Sequence, residues 1–343
     1  MYDIMYTSQN TVISGISRKG ILMKRHAVFI FALCGFTMCF LLFFLASSCQ
    51  ETPRFPKDMK RIIFVSPQKD LPVWQQAEAG FLEASEKYGF YAKWTGSLDC
   101  NLEEMTRQIQ IAIAGDIDAI VTCPLTPSVF DQVFQQAREE GIPILTVAVD
   151  ASDPHMRNAF ISSDYEKLGH DQAKALYEAV GEPMRIGIIM STYDSQNQTI
   201  QVNELKKFIA DKEDCEIVAI TQDFANPITG MNVFTDMLDT HPEINAMFVT
   251  SGDAIQSYGK ILAEKNLSEE ITLIGMDAID ANIRAVKSRQ IYGIMDQDFY
   301  QMGFLSGEYA MKLLDGEEIP SETFCDSMLI TGENADRYYP EVL

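Results

Sequence analysis

The sequence predicts an α/β protein of two similar lobes, each an open parallel sheet covered by helices on both faces. Three observations carry this reading. From Arg61 onward, short β-rich runs alternate with amphipathic helical stretches. The alternation then starts again, giving more strands than one open sheet of usual size holds. The chain has 343 residues, is 47% hydrophobic and 22% charged, and so has the length and composition for two folded units.

The elements follow in order. The run RIIFVS is a strand, and Ala77, Phe81, Ala84 and Tyr88 then recur at helical spacing until Gly89 closes the helix. YAKWTG is the next strand, and Leu102, Met105, Ile109, Ala112 and Ile113 line one face of a second helix. DAIVTC is a strand followed by Thr126 and Pro127, which read as an N-cap and first-turn pair. That third helix runs on to Gly141, and IPILTVAV is a further strand. The order βαβαβαβ implies a parallel sheet with helices on both faces. In the second half RIGIIM, EIVAI, AMFVTS, TLIGM and YGIMDQ are strands, with helices around 202–209, 231–238, 255–262 and 281–286. A last helix over 299–314 precedes a strand near 327–330. No 20–50-residue repeat or low-complexity tract interrupts the pattern.

The first fifty residues fix location. From Met23 the chain reads MKRHAVFIFALCGFTMCFLLFFLASSC: a basic start at Lys24, Arg25 and His26, an uncharged apolar run over 27–45, then small residues before Cys49. That is the layout of a secretory signal, although the run is also long enough to be an uncleaved membrane anchor. Residues 45–49 resemble a bacterial lipobox, in which the cysteine is diacylated and becomes the first residue after cleavage. Ser48 and Ala46 depart from the most usual residues of that motif. The resemblance implies a signal segment over 1–48, with 1–22 a mis-set start before Met23, and a lipid-anchored tether over 49–57. Acyl chains on Cys49 would hold the protein at the cell membrane on its extracytoplasmic face. ATP and nicotinamide are scarce there, so no cofactor is expected.

The formal net charge is −22, and the leading 48 residues contain a single acid, Asp3. The remainder is therefore strongly acidic, the opposite of a nucleic-acid binder's footprint. Cys100, Cys123, Cys215 and Cys325 match neither a zinc site nor a redox C-x-x-C and read as free thiols, with pairing left open. His155, His170 and His241 are too scattered for a metal cluster. There is no G-x-S-x-G elbow, H-E-x-x-H helix or P-loop, and no histidine suggests a triad. Glycoside hydrolysis by two carboxylates is the one catalytic alternative, because it needs only two acids at a set separation. The chain is otherwise read as a binding protein, not an enzyme.

Five segments together resemble the periplasmic sugar-binding proteins of the ribose/galactose type, the solute receptors of ABC importers. They are GDIDAIVTCPLTPSVFDQVFQQAREEGIPILTVAVD, AFISSDYEKLG, THPEINAMFVTSGDA, LIGMDA and YGIMDQDFYQMG. The resemblance covers roughly 60–331 and rests on the order and spacing of these segments. It implies a type I periplasmic-binding-protein fold with three hinge crossovers and a ligand trapped between the lobes. The first lobe would be 58–161 plus 298–326, and the second 162–297 plus 327–343. It further implies a monomer that delivers a sugar-like ligand to an ABC permease. A receptor that signals to the outer domain of a membrane sensor kinase is the alternative.

The resemblance also names site residues. Asp150 and Asp277 align with ligand aspartates, which accept paired hydroxyl hydrogen bonds. Gln297 stands at a hinge-region ligand position, and Ser251 replaces a common asparagine. Trp74 and Phe224 fall where aromatics cover a sugar's C–H face. Ser66, Lys69 and Asp70 occupy the first strand-to-helix loop. Each has a plainer reading: Asp277 as a helix N-cap, Asp150 as a turn residue, Trp74 as core packing. Trp94 reads as core, and Asp223 and Asp253 as solvated or capping residues. The family often has an arginine in N-Q-R-x-R-x-x-G-F, where this chain reads NQTIQVNEL with Thr199. Losing that five-donor fork disfavours an anionic ligand unless Lys69 compensates, and leaves a neutral or amine-bearing one.

Overall fold

A computed structural model describes residues 59–342. Cys49, the signal segment and the tether lie outside the described residues. Two six-stranded sheets form. The first comprises β1 (Arg61–Ser66), β2 (Tyr91–Gly96), β3 (Ala119–Thr122), β4 (Ile144–Val147), β5 (Ala159–Ser163) and β11 (Glu322–Cys325), in the order β11-β5-β4-β3-β1-β2. The second comprises β6 (Met184–Met190), β7 (Cys215–Gln222), β8 (Ala246–Val249), β9 (Thr272–Met276), β10 (Gly293–Asp296) and β12 (Met328–Thr331), in the order β12-β10-β9-β8-β6-β7. The two orders are the same pattern used twice. Every described pairing is parallel except β10 with β12.

The strands are continuous apolar runs because helices cover both faces. In β1, Ile62 and Phe64 face α1 (Pro72–Tyr88) through Trp74, Ala77 and Phe81. Ile63 and Val65 face α2 (Leu102–Ile113) and α3 (Pro127–Glu139) through Met105, Ile109, Phe130 and Phe134. Lobe two repeats this. Ile186 and Ile188 meet α4 (Tyr165–Val180) and α5 (Gln196–Ile209) through Leu168, Leu176, Val202 and Leu205. Met247 and Val249 meet α6 (Pro227–Thr240), α7 (Ile255–Glu264) and α8 (Asp280–Lys287).

The chain passes between the sheets three times: at Asp164, at Gln297–Asp298 and at Asp326–Ser327. The boundary expected at 161/162 falls inside β5, whose last two residues, Ser162 and Ser163, still pair with β11. Strand β11 carries two acids or polar groups among four residues and gives no apolar alternation to read. Gly89 ends α1 as expected, at φ 75°. Thr126 occupies the N-cap of α3 but makes no capping bond with its side chain, so Pro127 alone supplies the start signal. Helix α6 begins four residues earlier than expected, where the Asn226 side chain caps the amides of Ile228 and Thr229 at 3.0 Å each.

After the second crossover, α9 (Phe299–Leu314) returns to lobe one and lies on α1. The two helices touch backbone to backbone. A Cβ on Gly80 would overlap the Tyr300 carbonyl, and one on Gly303 the Ala77 carbonyl. The close approach fixes the hinge-side end of lobe one. Gly303→Ala should therefore lower stability by about 2 kcal/mol through overpacking, read as a lower urea midpoint with an unchanged slope.

Candidate functional site

The loops at the carboxyl ends of both parallel sheets carry the site, as expected for open α/β sheets. The lobes are in contact across it: Gln76 Nε2 donates to the Ala278 carbonyl at 3.0 Å, and Ser163 Oγ to the Gln297 carbonyl at 3.0 Å.

Lobe two supplies the acids. Asp277 follows β9 with φ 68° and is not a helix cap, because Ile279 holds the N-cap position of α8. Its Oδ1 accepts from Gln297 Nε2 at 2.5 Å. Its carboxylate lies against Gly252 so closely that a Cβ there would overlap Oδ2. Asn282 is 1% exposed and ties these loops together, with Nδ2 donating to the carbonyls of Gly252, Met276 and Asp277 at 2.9, 3.2 and 3.1 Å. Burial and then the nearby Asp253 charge push the Asp277 carboxyl up to about 7, against the Gln297 hydrogen bond. Asp253 is pushed up to about 6 by burial and then by Asp223.

Asp223 is fully buried, and its carboxylate receives Tyr258 Oη at 2.8 Å, Ser251 Oγ at 3.1 Å and the Ala225 amide at 2.9 Å. Burial holds its carboxyl above the ordinary range. Asp223 is thus not solvated, which corrects the sequence reading, whereas Asp253 is only half-buried. The Ser251 hydroxyl donates its proton to Asp223 and so can meet a ligand only as an acceptor.

Other expected contacts divide clearly. Ser66 ends β1, fully buried, with its hydroxyl lacking a partner. Gln297 is buried and its Oε1 is likewise unpartnered. Lys69 and Asp70 sit in the loop after β1, and their charges act on Glu78 of α1. Phe224 is 58% exposed at φ 57° in the loop after β7. Trp74 is 6% exposed and meets Phe64 and Phe299 edge to face, at 6.3 and 5.1 Å between centroids. The structure gives it the core-packing role.

Asp150 lines the interlobe cavity while its carboxylate is also held by Arg157. Arg157 Nε and Nη2 donate to its two carboxylate oxygens at 3.0 and 2.9 Å, and Thr146 Oγ1 and the Ala151 amide donate to Oδ1. Arg157 continues to the Ser321 carbonyl and to Glu322 at 3.0 Å, clamping β11 to the loop after β4. Thr199 points outward, donating to the Tyr193 carbonyl at 3.3 Å and lining a surface groove with Ile220 and Lys206. The positions of α5 that face the interlobe space are Asn197 and Ile200. They line a cavity of about 350 Å³ with Asp150, Phe160, Tyr165 and Phe324. Neither the expected position nor the observed ones carry a cation.

Sequence reasoning missed Arg157, Asn197, Asn282 and Tyr165. The signal for Tyr165 was its place in SSDYEKLG, directly after a crossover. Asn282 had none, because a buried asparagine inside a helix looks like a surface one.

A family model for the periplasmic binding protein domain matches residues 62–318. The chain belongs to this family. Among relatives, the xylose/arabinose-binding protein XylF of Sulfolobus acidocaldarius is 21% identical over 81% of this chain and 72% of its own. An ABC transporter periplasmic solute-binding protein from Actinobacillus succinogenes, solved with bound D-allose, superposes with a TM-score of 0.77 at 22% identity, over 81% of this chain and all of that one. A complex of XylFII with LytSN gives 0.73 at 20% identity, over 80% of this chain and 98% of that one. The periplasmic-binding-protein fold accounts for the paired sheets and the three crossovers. What the interlobe surfaces of this family member offer chemically is hydrogen-bond acceptance, in the carboxylates of Asp253 and Asp277 and the spare Gln297 amide oxygen, with the rings of Phe160 and Phe324 in the cavity beside Asp150.

Proposed function

We propose that this protein is an extracytoplasmic receptor that holds a small sugar-like ligand between its lobes and hands it to an ABC permease. The observation that carries this is the junction of Asp277, Gln297 and Gly252 at the strand ends of lobe two, backed by the Phe160 and Phe324 rings in the interlobe cavity. Hydroxyl groups satisfy such acceptors, and aromatic rings cover C–H faces. The names of relatives, with xylose, arabinose and allose among their ligands, support the same reading. The absence of a cation facing the cleft from α5 favours a neutral or amine-bearing ligand over a sugar acid. No step of this function requires a chemical reaction. Cys49 would carry the lipid that keeps the receptor at the membrane. A second reading, in which the loaded receptor instead engages a membrane sensor kinase, draws on the likeness to XylFII in its complex with LytSN.

A thermal-shift screen of the full-length protein in detergent tests the receptor. Neutral sugars, polyols, amino sugars and sugar acids are compared, each at ~100 times its dissociation constant, where binding adds about 2.7 kcal/mol to stability. A raised melting temperature with neutral or amino compounds is expected. A response to acids alone would contradict the reading of the cleft.

A further inference from the structure

We propose that the ligand carries a protonated amine, as an amino sugar or amino polyol does, and that its ammonium group sits between Asp253 and Asp277. This rests on the receptor reading above and names the chemical class of its ligand.

The two acids come from the adjacent strands β8 and β9 and meet at Gly252. Asp253 is the next residue in the chain, and the Asp277 carboxylate lies over the glycine itself. Asp223 stands behind them with its oxygens already engaged by Tyr258, Ser251 and Ala225. Among the described residues no lysine or arginine forms an ion pair with any of the three.

A second observation is independent of the charges. Gln297 is 8% exposed, spends its amide nitrogen on Asp277, and leaves Oε1 buried without a donor. Buried acceptors rarely stay unpaired in a finished structure. What this cluster lacks is therefore a donor group with positive charge. An ammonium has three donors, no acceptor and a positive charge, so it can serve two carboxylates and an amide oxygen at once, whereas a hydroxyl has a single donor to offer them. Removing an ammonium from water is costly unless it is paired and hydrogen-bonded, and two carboxylates plus an amide oxygen meet that need.

The inference has a pH signature. Around the pair stand the carboxylates of Asp223 and Asp296, the hydroxyls of Tyr165 and Tyr258, the Cys100 thiol and the neutral Gln297 amide. None is cationic. The empty pair holds protons up to pH 6–7, and an ammonium must displace them. Affinity for the amine should rise between pH 5.5 and 7.5.

The test is calorimetric titration of the full-length protein in detergent with matched ligands: glucosamine, galactosamine and mannosamine against their parent hexoses, and glucamine against sorbitol. N-acetylglucosamine serves as the uncharged control. At pH 7.5 at least one amine should bind ten-fold or more tightly than both its hydroxyl parent and the acetylated form. That advantage should shrink at pH 5.5 and in Asp253→Asn, a side chain with no hydrogen bond of its own among the described residues. Should the variant fail to fold, the wild-type pH comparison still decides. Parents binding as tightly as amines would overturn the inference and leave the receptor standing. Silence across the whole panel would overturn the inference, and the broader thermal-shift screen would then decide the receptor reading by itself.

Discussion

Arg157→Ala is expected to lower the unfolding free energy by about 3 kcal/mol, the cost typical of stripping one partner from a buried ion pair. The guanidinium side chain is 3% exposed and bonds Asp150, Glu322 and the Ser321 carbonyl at once. Its loss leaves Asp150 without its two charge-assisted bonds and frees β11 from the loop after β4. Urea unfolding of the variant checks the magnitude. Asp150→Ala should cost a comparable amount, and the double variant clearly less than the sum, because both lose one interaction. If Asp150→Asn instead left stability intact and abolished ligand binding, Asp150 would be a ligand contact and the clamp of no consequence.

Asp277→Asn should stabilise the empty protein at pH 8 by on the order of 2 kcal/mol while weakening ligand binding more than ten-fold. The sign follows from the direction of the shift. Burial raises the folded-state carboxyl to about 7, above its unfolded value. Its contribution to stability is thus fully present below about pH 4 and is lost as pH rises through 7. Asp253 adds the same trend up to about 6. The empty wild type should melt at a lower temperature at pH 8 than at pH 5 by this contribution, and the asparagine variant should flatten that dependence. A stability–function trade of this kind is common where a site holds unfavourable charge for a ligand. Calorimetric melting across pH 5–8 measures it, and an unchanged slope in the variant would contradict it.

Much of the fold was legible because parallel-sheet strands must be apolar on both faces. RIIFVS and TLIGM therefore stand out from the amphipathic stretches between them, and Gly89 marks a helix end at a positive φ. Strand β11 was not legible: its residues pair with β5 only after α9 has returned to lobe one, and nothing local demands it. The site was legible where function needs backbone geometry at a strand end. Asp277 and Gln297, named from the family resemblance, stand at such strand ends and hydrogen-bond to each other. It was illegible where partners come from far away. Asp150 looks like an open acid until Arg157 and Glu322 are folded against it, and Trp74 looks like a stacking ring until Phe299 arrives from the last helix. Thr199 was one helix face away from the positions that look into the cleft, since two residues along a helix turn a side chain by about 200°. Asp223 passed as a surface acid because a charged residue after a strand gives no sign of its own burial.

The measurement that bears most directly on the receptor account is a calorimetric titration of wild type and Asp277→Ala with the best ligand from the screen. The account predicts micromolar or tighter binding to the wild type, with a negative heat-capacity change from closure over the ligand. It predicts loss of that binding in a variant that still unfolds cooperatively. Equal affinity in the two proteins would place the ligand elsewhere and contradict the account.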